Sequence, residues 1–317
     1  MTDIPRLIID TDPGQDDAAA ILMALGWDAL GKIKLEALTC VAGNVPLAYT
    51  AKNARIICDW AQRENLPVYA GADRPLLKPL ITAEEVHGKN GLDGVTLHEP
   101  RTPLQAQHAA LYLAETLTAA APHSITLCPI GPLTNLALAF SLAPHCVQGI
   151  KEIVIMGGTF FEPGNVTPNA DFNFFVDPIA AQIVLQSGAS IRIVPLDVTH
   201  QACITRERMN RLRALPNQNG TRLADILQSY ERFDIQKFGL DGGPLHDPCA
   251  IAYALHPEWF TCKTVHVAVE TATGLCEGAS AVDWHGTTGK TPNAEWAYRI
   301  DDEAFFDGFT EAVTALP

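Results

Sequence analysis

The stretch Leu7-Ile8-Ile9-Asp10-Thr11-Asp12-Pro13-Gly14-Gln15-Asp16-Asp17 runs from an apolar segment into four carboxylates within eight residues. Its apolar residues predict the end of a buried strand, and the Pro-Gly pair predicts a turn. The alanine-rich run 18–25 predicts a helix that Asp16 or Asp17 could cap. Four anions this close repel one another unless protons or a hard cation such as Ca²⁺ or Mg²⁺ relieve them. We therefore expect a metal site here, with helix caps and solvated acids as the alternative.

Two other acid motifs resemble this stretch. An EF-hand loop starting at Asp10 needs Gly at its sixth position and Glu at its twelfth, but the chain has Gln15 and Ile21 there. Phosphatases of the haloacid dehalogenase type also carry Asp-x-Asp after a first strand, followed two residues later by Thr or Val, where this chain has Gly14. A Mg²⁺-dependent phosphatase with Asp10 as nucleophile is therefore the weaker alternative.

Composition narrows the class of protein. The 317 residues are 47% hydrophobic and 18% charged, which is typical of a globular enzyme. The formal charge of −14 argues against surfaces that bind nucleic acid or anionic membranes, since these are basic. No secretory signal and no apolar run of membrane-spanning length is evident. We expect a cytoplasmic protein.

The eight cysteines never form a Cys-x-x-Cys pair, and most lie in apolar surroundings, as Cys128 does. This pattern favours reduced core thiols over zinc ligands or disulfides.

Strand-like and helix-like runs alternate through about the first two hundred residues. This alternation predicts an α/β fold: an open doubly wound, mostly parallel sheet flanked by helices, Rossmann-like, in a single domain over residues 1–317. The predicted strands are 6–10, 35–41, 67–70, 124–128, 152–156 and 190–195, followed by β-rich runs at 264–271, 279–283 and 295–300. The predicted helices are 16–27, 46–64, 103–121, 133–142, 178–186, 205–215, 220–238, one beginning at Pro248, and 302–315.

In such a sheet, ligands bind beyond the carboxyl ends of the strands. Asn44 follows the second strand, where it could bind a ligand hydroxyl or only form a turn. The loop 71–100 carries His87 in a polar, glycine-rich segment that could form a mobile lid, although a lone histidine is more often a surface residue. The loop 157–177 supplies several amides and an acid, which suit a polyhydroxylated ligand; a glycosylated or merely solvated loop is the alternative.

Three further segments have a capping or turn interpretation. Asp177-Pro178 and Asp247-Pro248 each fit an N-cap followed by Pro at the first helical position. His246 beside Asp247 adds a candidate general acid to the second pair. The run 286–291 lacks the first Gly of a phosphate-binding loop, because Trp284 stands there, so it predicts a hairpin turn.

Taken together, these motifs resemble the inosine–uridine-preferring nucleoside hydrolase family over nearly the whole chain and in the right order. The segments concerned are the opening acid motif, Gly43-Asn44, His87-Gly88, 131–135, the Asn-rich loop ending Asp171-Phe172-Asn173, 196–201, and His246-Asp247-Pro248. The resemblance implies Ca²⁺-dependent hydrolysis of the N-glycosidic bond of ribonucleosides by a homodimer or homotetramer.

The resemblance also implies residue roles. Asp12, Asp17 and Asp247 would be carboxylate ligands of Ca²⁺, together with the backbone carbonyl of Ile130. Asp12 would take a proton from the metal-bound water, and His246 would protonate the leaving base. The remaining implied roles are ribose hydroxyl binding for Asp16 and Asn44, contacts to the 5′ side of the sugar for Asn165, Asp171 and Asn173, a place on the closing loop for His87, and support from behind the site for Asp10.

Elementary chemistry agrees with these roles. The reaction passes through an oxocarbenium-like sugar, and Ca²⁺ accepts six to eight oxygen ligands, leaving room for water and two hydroxyls. Mg²⁺ is more rigidly octahedral and fits less well.

Two features leave the substrate open. Asp171 stands where many relatives have Glu and is one methylene shorter, so we expect its contact with a 5′-hydroxyl to be longer or mediated by water. Tyr230, Phe233 or Phe238 could stack on the base, but the purine or pyrimidine preference does not follow from them. A third hypothesis, a non-catalytic nucleoside- or sugar-binding protein, is weakened by His246 and the full set of acids.

Overall fold

The computed structural model describes residues 4–238 and 242–317, with the side chains of 231–238 outside that description. The strands are β1 Arg6–Thr11, β2 Lys34–Cys40, β3 Val68–Ala70, β4 Leu104–Gln105, β5 Ile125–Pro129, β6 Ile150–Met156, β7 Ile191–Val194, β8 Cys203–Ile204, β9 Gly243–Pro244, β10 Phe260–Val269, β11 Ser280–Asp283 and β12 Ala294–Ile300. The α-helices are α1 Gln15–Ala29, α2 Leu47–Trp60, α3 Glu84–His87, α4 Ala109–Ala119, α5 Thr134–Leu142, α6 Phe172–Val176, α7 Pro178–Leu185, α8 Leu196–Thr199, α9 Arg206–Arg213, α10 Gln218–Phe238, α11 His246–Leu255 and α12 Asp302–Thr314.

Ten of these strands form one sheet in the order β11-β10-β12-β7-β6-β5-β1-β2-β3-β4. All neighbours from β12 to β4 are parallel, and β10 runs antiparallel to both β11 and β12. The predicted open, mostly parallel sheet is therefore confirmed. Strand order reverses between β1 and β5, the crevice where ligands bind in this class of sheet.

Helices cover both faces because the central strands are apolar on both sides. In β1, Leu7 and Ile9 pack into the core on one face, whereas Ile8 packs into the core on the other. This alternation follows from the two-residue period of a strand. Helices α1, α2, α10, α11 and α12 contribute to the first core, and α4, α5 and α7 to the second.

Two predicted elements differ from the structure. The helix expected from residue 103 begins at Ala109, because Leu104 pairs with Val68 as a short edge strand and His108 caps the helix by accepting from the Ala110 amide. The predicted hairpin turn around 286–291 is wrong. The segment 286–291 lies in the connection from β11 to β12, and these strands lie on opposite sides of β10 and do not pair with each other.

All eight cysteines are free thiols, five of them buried, in agreement with the reduced state predicted. None of the helices in the described residues is both long and apolar enough to span a membrane.

Candidate active site

The site lies where β1 and β5 end side by side. Asp10 pairs with Pro129 across these strands, and Asp12 and Ile130 are the first residues beyond the ends of β1 and β5, so they leave the same edge of the sheet. Asp12 is held closely: a Cβ at Gly43 would lie 2.1 Å from its Oδ2, and one at Gly131 would lie 2.2 Å from its Oδ1. Glycine at these two positions therefore allows the backbone to enclose the carboxylate.

The carboxylate of Asp12 is only partly satisfied by the protein. The backbone N–H of Asn44 donates to Oδ2 over 2.7 Å. The other oxygen, Oδ1, is buried and has no hydrogen-bond partner among the described residues. A buried charged oxygen without a partner is costly, which makes it a candidate ligand for a cation.

Asp17 is bound from several sides at the start of α1. Its oxygens accept from Thr11 Oγ1 at 2.5 Å, from the Gly14 amide at 2.9 Å and from Asn44 Nδ2 at 3.0 Å. The N-cap position belongs to Gly14, so the prediction that Asp16 or Asp17 is the N-cap is wrong. The helix begins at Gln15, one residue before the predicted start, so Asp17 lies in the first turn. There its carboxylate accepts from the backbone N–H of the N-cap residue Gly14.

Asp16, Asp17 and Asp247 each offer a carboxylate oxygen, and these oxygens lie within 4.8 Å of one another. Asp12 is not part of this group of three, but it interacts electrostatically with Asp16 and Asp17. Burial, followed by the charge of Asp17, raises the pKa of Asp12 well above its usual value. Burial, followed by the charges of Asp16 and Asp17, does the same to the pKa of Asp247. Buried acids that repel each other fit a bound divalent cation, the metal site predicted from the sequence.

The two Asp-Pro pairs have different roles. Asp177 is the N-cap of α7 and accepts from the Ala180 amide, as predicted. The cap prediction for Asp247 is wrong, because α11 begins at His246 and its N-cap position is Leu245. The carboxylate of Asp247 therefore does not cap the helix and lies with those of Asp16 and Asp17.

Asp10 lies behind the site. Its Oδ1 accepts from Thr39 Oγ1 at 2.5 Å and from Asn135 Nδ2 at 2.8 Å. Burial raises the pKa of Asp10 to about 7. The same Asn135 amide donates to the Cys40 carbonyl, so Asp10 helps tie β1, β2 and the start of α5 together.

A cavity opens above these acids. No lysine or arginine is found among its described lining residues. Three predicted site residues, Asp10, Asp12 and Asp17, are buried and do not line it. The nine others do: Asp16, Asn44, His87, Ile130, Asn165, Asp171, Asn173, His246 and Asp247.

His246 is fixed by a short hydrogen bond. Its Nδ1 lies 2.6 Å from Thr199 Oγ1, at the end of α8. Burial, with the nearby His200 and His87, lowers the pKa of His246 well below its usual value. The ring is therefore a neutral imidazole whose orientation depends on Thr199.

His87 is not the surface residue that a lone histidine usually is. It is buried at the end of α3, with Nδ1 2.6 Å from Gln15 Oε1. Its ring stacks on Tyr230 with 5.7 Å between centroids. Of the aromatic residues predicted to approach a base, Tyr230 lines the cavity, and the side chains of Phe233 and Phe238 lie outside the described residues.

The Asn-rich loop forms the opposite wall. Asp171 is the N-cap of α6 and also accepts from the Gly158 amide at 2.6 Å. Asn173 Nδ2 donates to the carbonyls of Ile130 at 3.0 Å and Met156 at 3.1 Å. Both N–H groups of Asn173 are thus used by the protein, and a ligand would meet its oxygen.

Four residues that support the site have no role predicted from the sequence. Gln15, Thr199, Thr39 and Asn135 are all buried, and each contacts a candidate functional side chain. Gln15 was visible in the sequence as an uncharged polar residue inside the acid motif, as Thr11 is. The other three contact their partners across long separations in sequence, so no local pattern reveals them.

Known proteins resemble this chain over its length. The family model described as inosine-uridine preferring nucleoside hydrolase matches residues 7–307. The chain is 44% identical to an uncharacterized protein of Schizosaccharomyces pombe, over 98% of this chain and 100% of that protein. It is 42% identical to the pyrimidine-specific ribonucleoside hydrolase RihA of Shewanella woodyi, over 95% of each.

Solved structures agree. A plant nucleoside hydrolase matches with a TM-score of 0.90 at 32% identity, covering 98% of this chain and 99% of that one. A purine-preferring ribonucleoside hydrolase from Gardnerella vaginalis matches with a TM-score of 0.90 at 29% identity, covering 98% of each. The acid motif, the strand-order reversal that positions it and these likenesses agree: the chain belongs to the inosine-uridine preferring nucleoside hydrolase family and is a ribonucleoside hydrolase.

Proposed function

We propose that this enzyme is a Ca²⁺-dependent hydrolase that cleaves the N-glycosidic bond of pyrimidine ribonucleosides, releasing the base and ribose. The observation that carries the metal assignment is the buried carboxylate group beneath a cavity without lysine or arginine in the described residues. Pyrimidine preference is supported by RihA of Shewanella woodyi, which is pyrimidine-specific by name and more similar in sequence than the purine-preferring enzyme.

The residues proposed to hold Ca²⁺ are Asp12, Asp17 and Asp247, with the Ile130 carbonyl. The Oδ1 of Asp12, which has no hydrogen-bond partner among the described residues, supports this set. The Ile130 carbonyl already accepts from Asn173, but a carbonyl oxygen has a second lone pair. When bound, Ca²⁺ would lower the pKa of a water molecule and hold the 2′- and 3′-hydroxyls of ribose.

The chain's own residues would do the remaining work. Asp12 would accept the proton of the attacking water, and His246 would supply hydrogen to the departing base as the C1′–N bond breaks. Asp16, which lines the cavity, would accept a hydrogen bond from a ribose hydroxyl.

Asn44 would do the same through its oxygen, because Nδ2 already donates to the Asp12 carbonyl and to Asp17. On the 5′ side of the sugar, Asn165, Asp171 and Asn173 are proposed to bind. The carboxylate of Asp171 would attract the 5′-hydroxyl by its charge, while its oxygens continue to cap α6. His87 would close the cavity, and Asp10 would support β1 from behind.

One experiment tests the function and the metal together. The enzyme is incubated with uridine, cytidine, inosine and adenosine, with and without a chelator, and reducing sugar is measured. We expect ribose release, fastest from uridine and cytidine and abolished by the chelator until Ca²⁺ is returned. Ribose release that survives thorough Ca²⁺ removal would overturn the metal assignment, and equal rates on inosine would overturn the pyrimidine preference. The cytoplasmic location and the homodimer or homotetramer stay predictions from sequence.

A further inference from the structure

Gln15 lies in the middle of the acid motif, but its side chain makes hydrogen bonds to His87. It is fully buried and reaches His87, which lies 72 positions away in the loop 71–100. Its Oε1 lies 2.6 Å from His87 Nδ1, and its Nε2 donates to the His87 backbone carbonyl over 3.3 Å. One amide therefore holds both the ring and the backbone of His87.

This double contact fixes which end of the amide is which. The His87 carbonyl can only accept, so the amide nitrogen of Gln15 must face it. The amide oxygen then faces Nδ1 and can only accept, so Nδ1 must carry a hydrogen. In a neutral ring the other nitrogen, Nε2, is then unprotonated and is an acceptor. Burial lowers the pKa of His87 to about 3, which keeps the ring neutral at physiological pH.

The rest of the ring environment leaves one edge for a ligand. Nδ1, Cε1 and Cγ face Gly14, where an added Cβ would lie 2.4 Å from Nδ1. Tyr230 stacks on the ring face. His87 lines the cavity, and Nε2 lies on the ring edge away from Gly14, the edge that Gly14 leaves open to a ligand.

We propose that Gln15 is a positioning residue that holds His87 as the Nδ1–H tautomer, so that His87 Nε2 accepts a hydrogen bond from an N–H or O–H group of the bound ribonucleoside. This inference rests on the proposed function, because it takes the cavity as the nucleoside site. The two histidines then have different roles. His87 reads a donor on the substrate and supplies no hydrogen, whereas His246 serves the leaving base.

The tautomer is measured by ¹⁵N-resolved NMR of the histidine rings in the wild-type enzyme, with His87→Ala identifying the signals. We expect a protonated Nδ1 and an unprotonated Nε2. Gln15→Met, which keeps the length but removes both hydrogen-bonding groups, is expected to shift His87 toward the Nε2–H tautomer. It should also raise KM for uridine about fivefold, the loss expected for one neutral hydrogen bond. Gln148→Met, the same change at an exposed position, serves as the matched control.

A double-mutant cycle separates this mechanism from a disturbance of the neighbouring acids. In a His87→Ala background, Gln15→Met should have no further effect on KM. An undiminished effect there would show that Gln15 acts through Asp16 or Asp17, and an unprotonated Nδ1 in the wild-type spectrum would overturn the tautomer. The spectrum decides even if Gln15→Met does not fold. A wild-type enzyme that released no ribose would instead overturn the proposed function and leave the tautomer result standing.

Discussion

Asp12 is the residue on which the proposed chemistry depends most. It is enclosed by Gly43 and Gly131, and only one of its oxygens has a partner within the described protein. Asp12→Asn removes a charged ligand and a proton acceptor while keeping the shape. We expect near-complete loss of turnover that excess Ca²⁺ restores only in part, measured as kcat across a Ca²⁺ titration.

Asp10→Asn is the matched comparison for Asp12→Asn. Both carboxylates are buried, but the partners of Asp10, Thr39 and Asn135, do not line the cavity. Asp10→Asn should leave the Ca²⁺ dependence of turnover near that of the wild type. Full rescue of Asp12→Asn at saturating Ca²⁺ would show that Asp12 is a ligand and not a base.

His246 and Asp247 are adjacent in sequence, yet we expect their substitutions to affect natural and activated substrates differently. Assistance to a leaving group is worth about 10²–10⁴-fold. A p-nitrophenyl riboside has a leaving group that is stable as an anion and needs no such assistance. His246→Ala should therefore slow uridine hydrolysis severely and leave the activated riboside largely intact.

Asp247→Ala should impair both substrates, because a metal ligand serves the sugar and the water whatever departs. The measurement is kcat/KM for each variant on each substrate. If His246→Ala reduced both substrates to the same degree, the general-acid role would be wrong and His246 would only position its neighbour.

At the scale of an element, α6 makes Asp171 serve two purposes. Its carboxylate caps the helix through the amides of Asn173 at 2.9 Å and Phe174 at 3.2 Å, and it also lines the cavity. Asp171→Asn keeps a capping oxygen but removes the charge, whereas Asp171→Glu keeps the charge on a side chain too long to cap well. Loss of a cap costs about 0.5–2 kcal/mol.

We therefore expect Asp171→Glu to lower the thermal midpoint. Asp171→Asn should lower it as well, because both carboxylate oxygens accept from backbone N–H groups and one of them becomes an NH₂ group. If Asp171 binds the 5′-hydroxyl, Asp171→Asn should also bring the turnover of uridine and 5′-deoxyuridine closer together. An unchanged ratio of the two rates would limit Asp171 to its capping role.

The helix starts also show where local sequence stops being informative. Asp177 and Asp247 precede proline in the same way, and only Asp177 is the N-cap. Pro248 tolerates the third helical position because the amides of the first turn have no intrahelical partner. The residue at which each helix begins depends on packing against distant elements. The Asp-Pro dipeptide alone could therefore not predict that Asp247 lies with the other acids.

At the scale of the whole molecule, alternation of apolar runs predicted the parallel sheet and the edge at which the acids lie. It could not predict strand order. The reversal between β1 and β5, and the separation of β11 from β12 by β10, depend on contacts between remote segments. The single-domain assignment stays a prediction.

The acid cluster and the histidines give the stability a characteristic pH dependence. Burial raises the pKa of Asp171 to about 6 and of Asp10 to about 7, and it raises the pKa values of Asp12, Asp17 and Asp247 as well. Such acids hold more protons folded than unfolded, so their contribution to stability is lost as pH rises through the folded pKa. The lowered pKa values of His87 and His246 act oppositely, but only below their ordinary value of 6.5.

Between about pH 6.5 and pH 8 the acids therefore act without opposition from these histidines. We expect the free energy of unfolding of the chelated enzyme to fall across this range. The stabilisation by added Ca²⁺ should grow across it, because the cation competes with protons for the same oxygens. Thermal midpoints in chelator and in Ca²⁺, read at both ends of the range, measure the two trends. Asp247→Asn should weaken both pH dependences, since it removes one of the repelling charges. If the stabilisation by Ca²⁺ did not change with pH, the cation would bind somewhere other than at these acids.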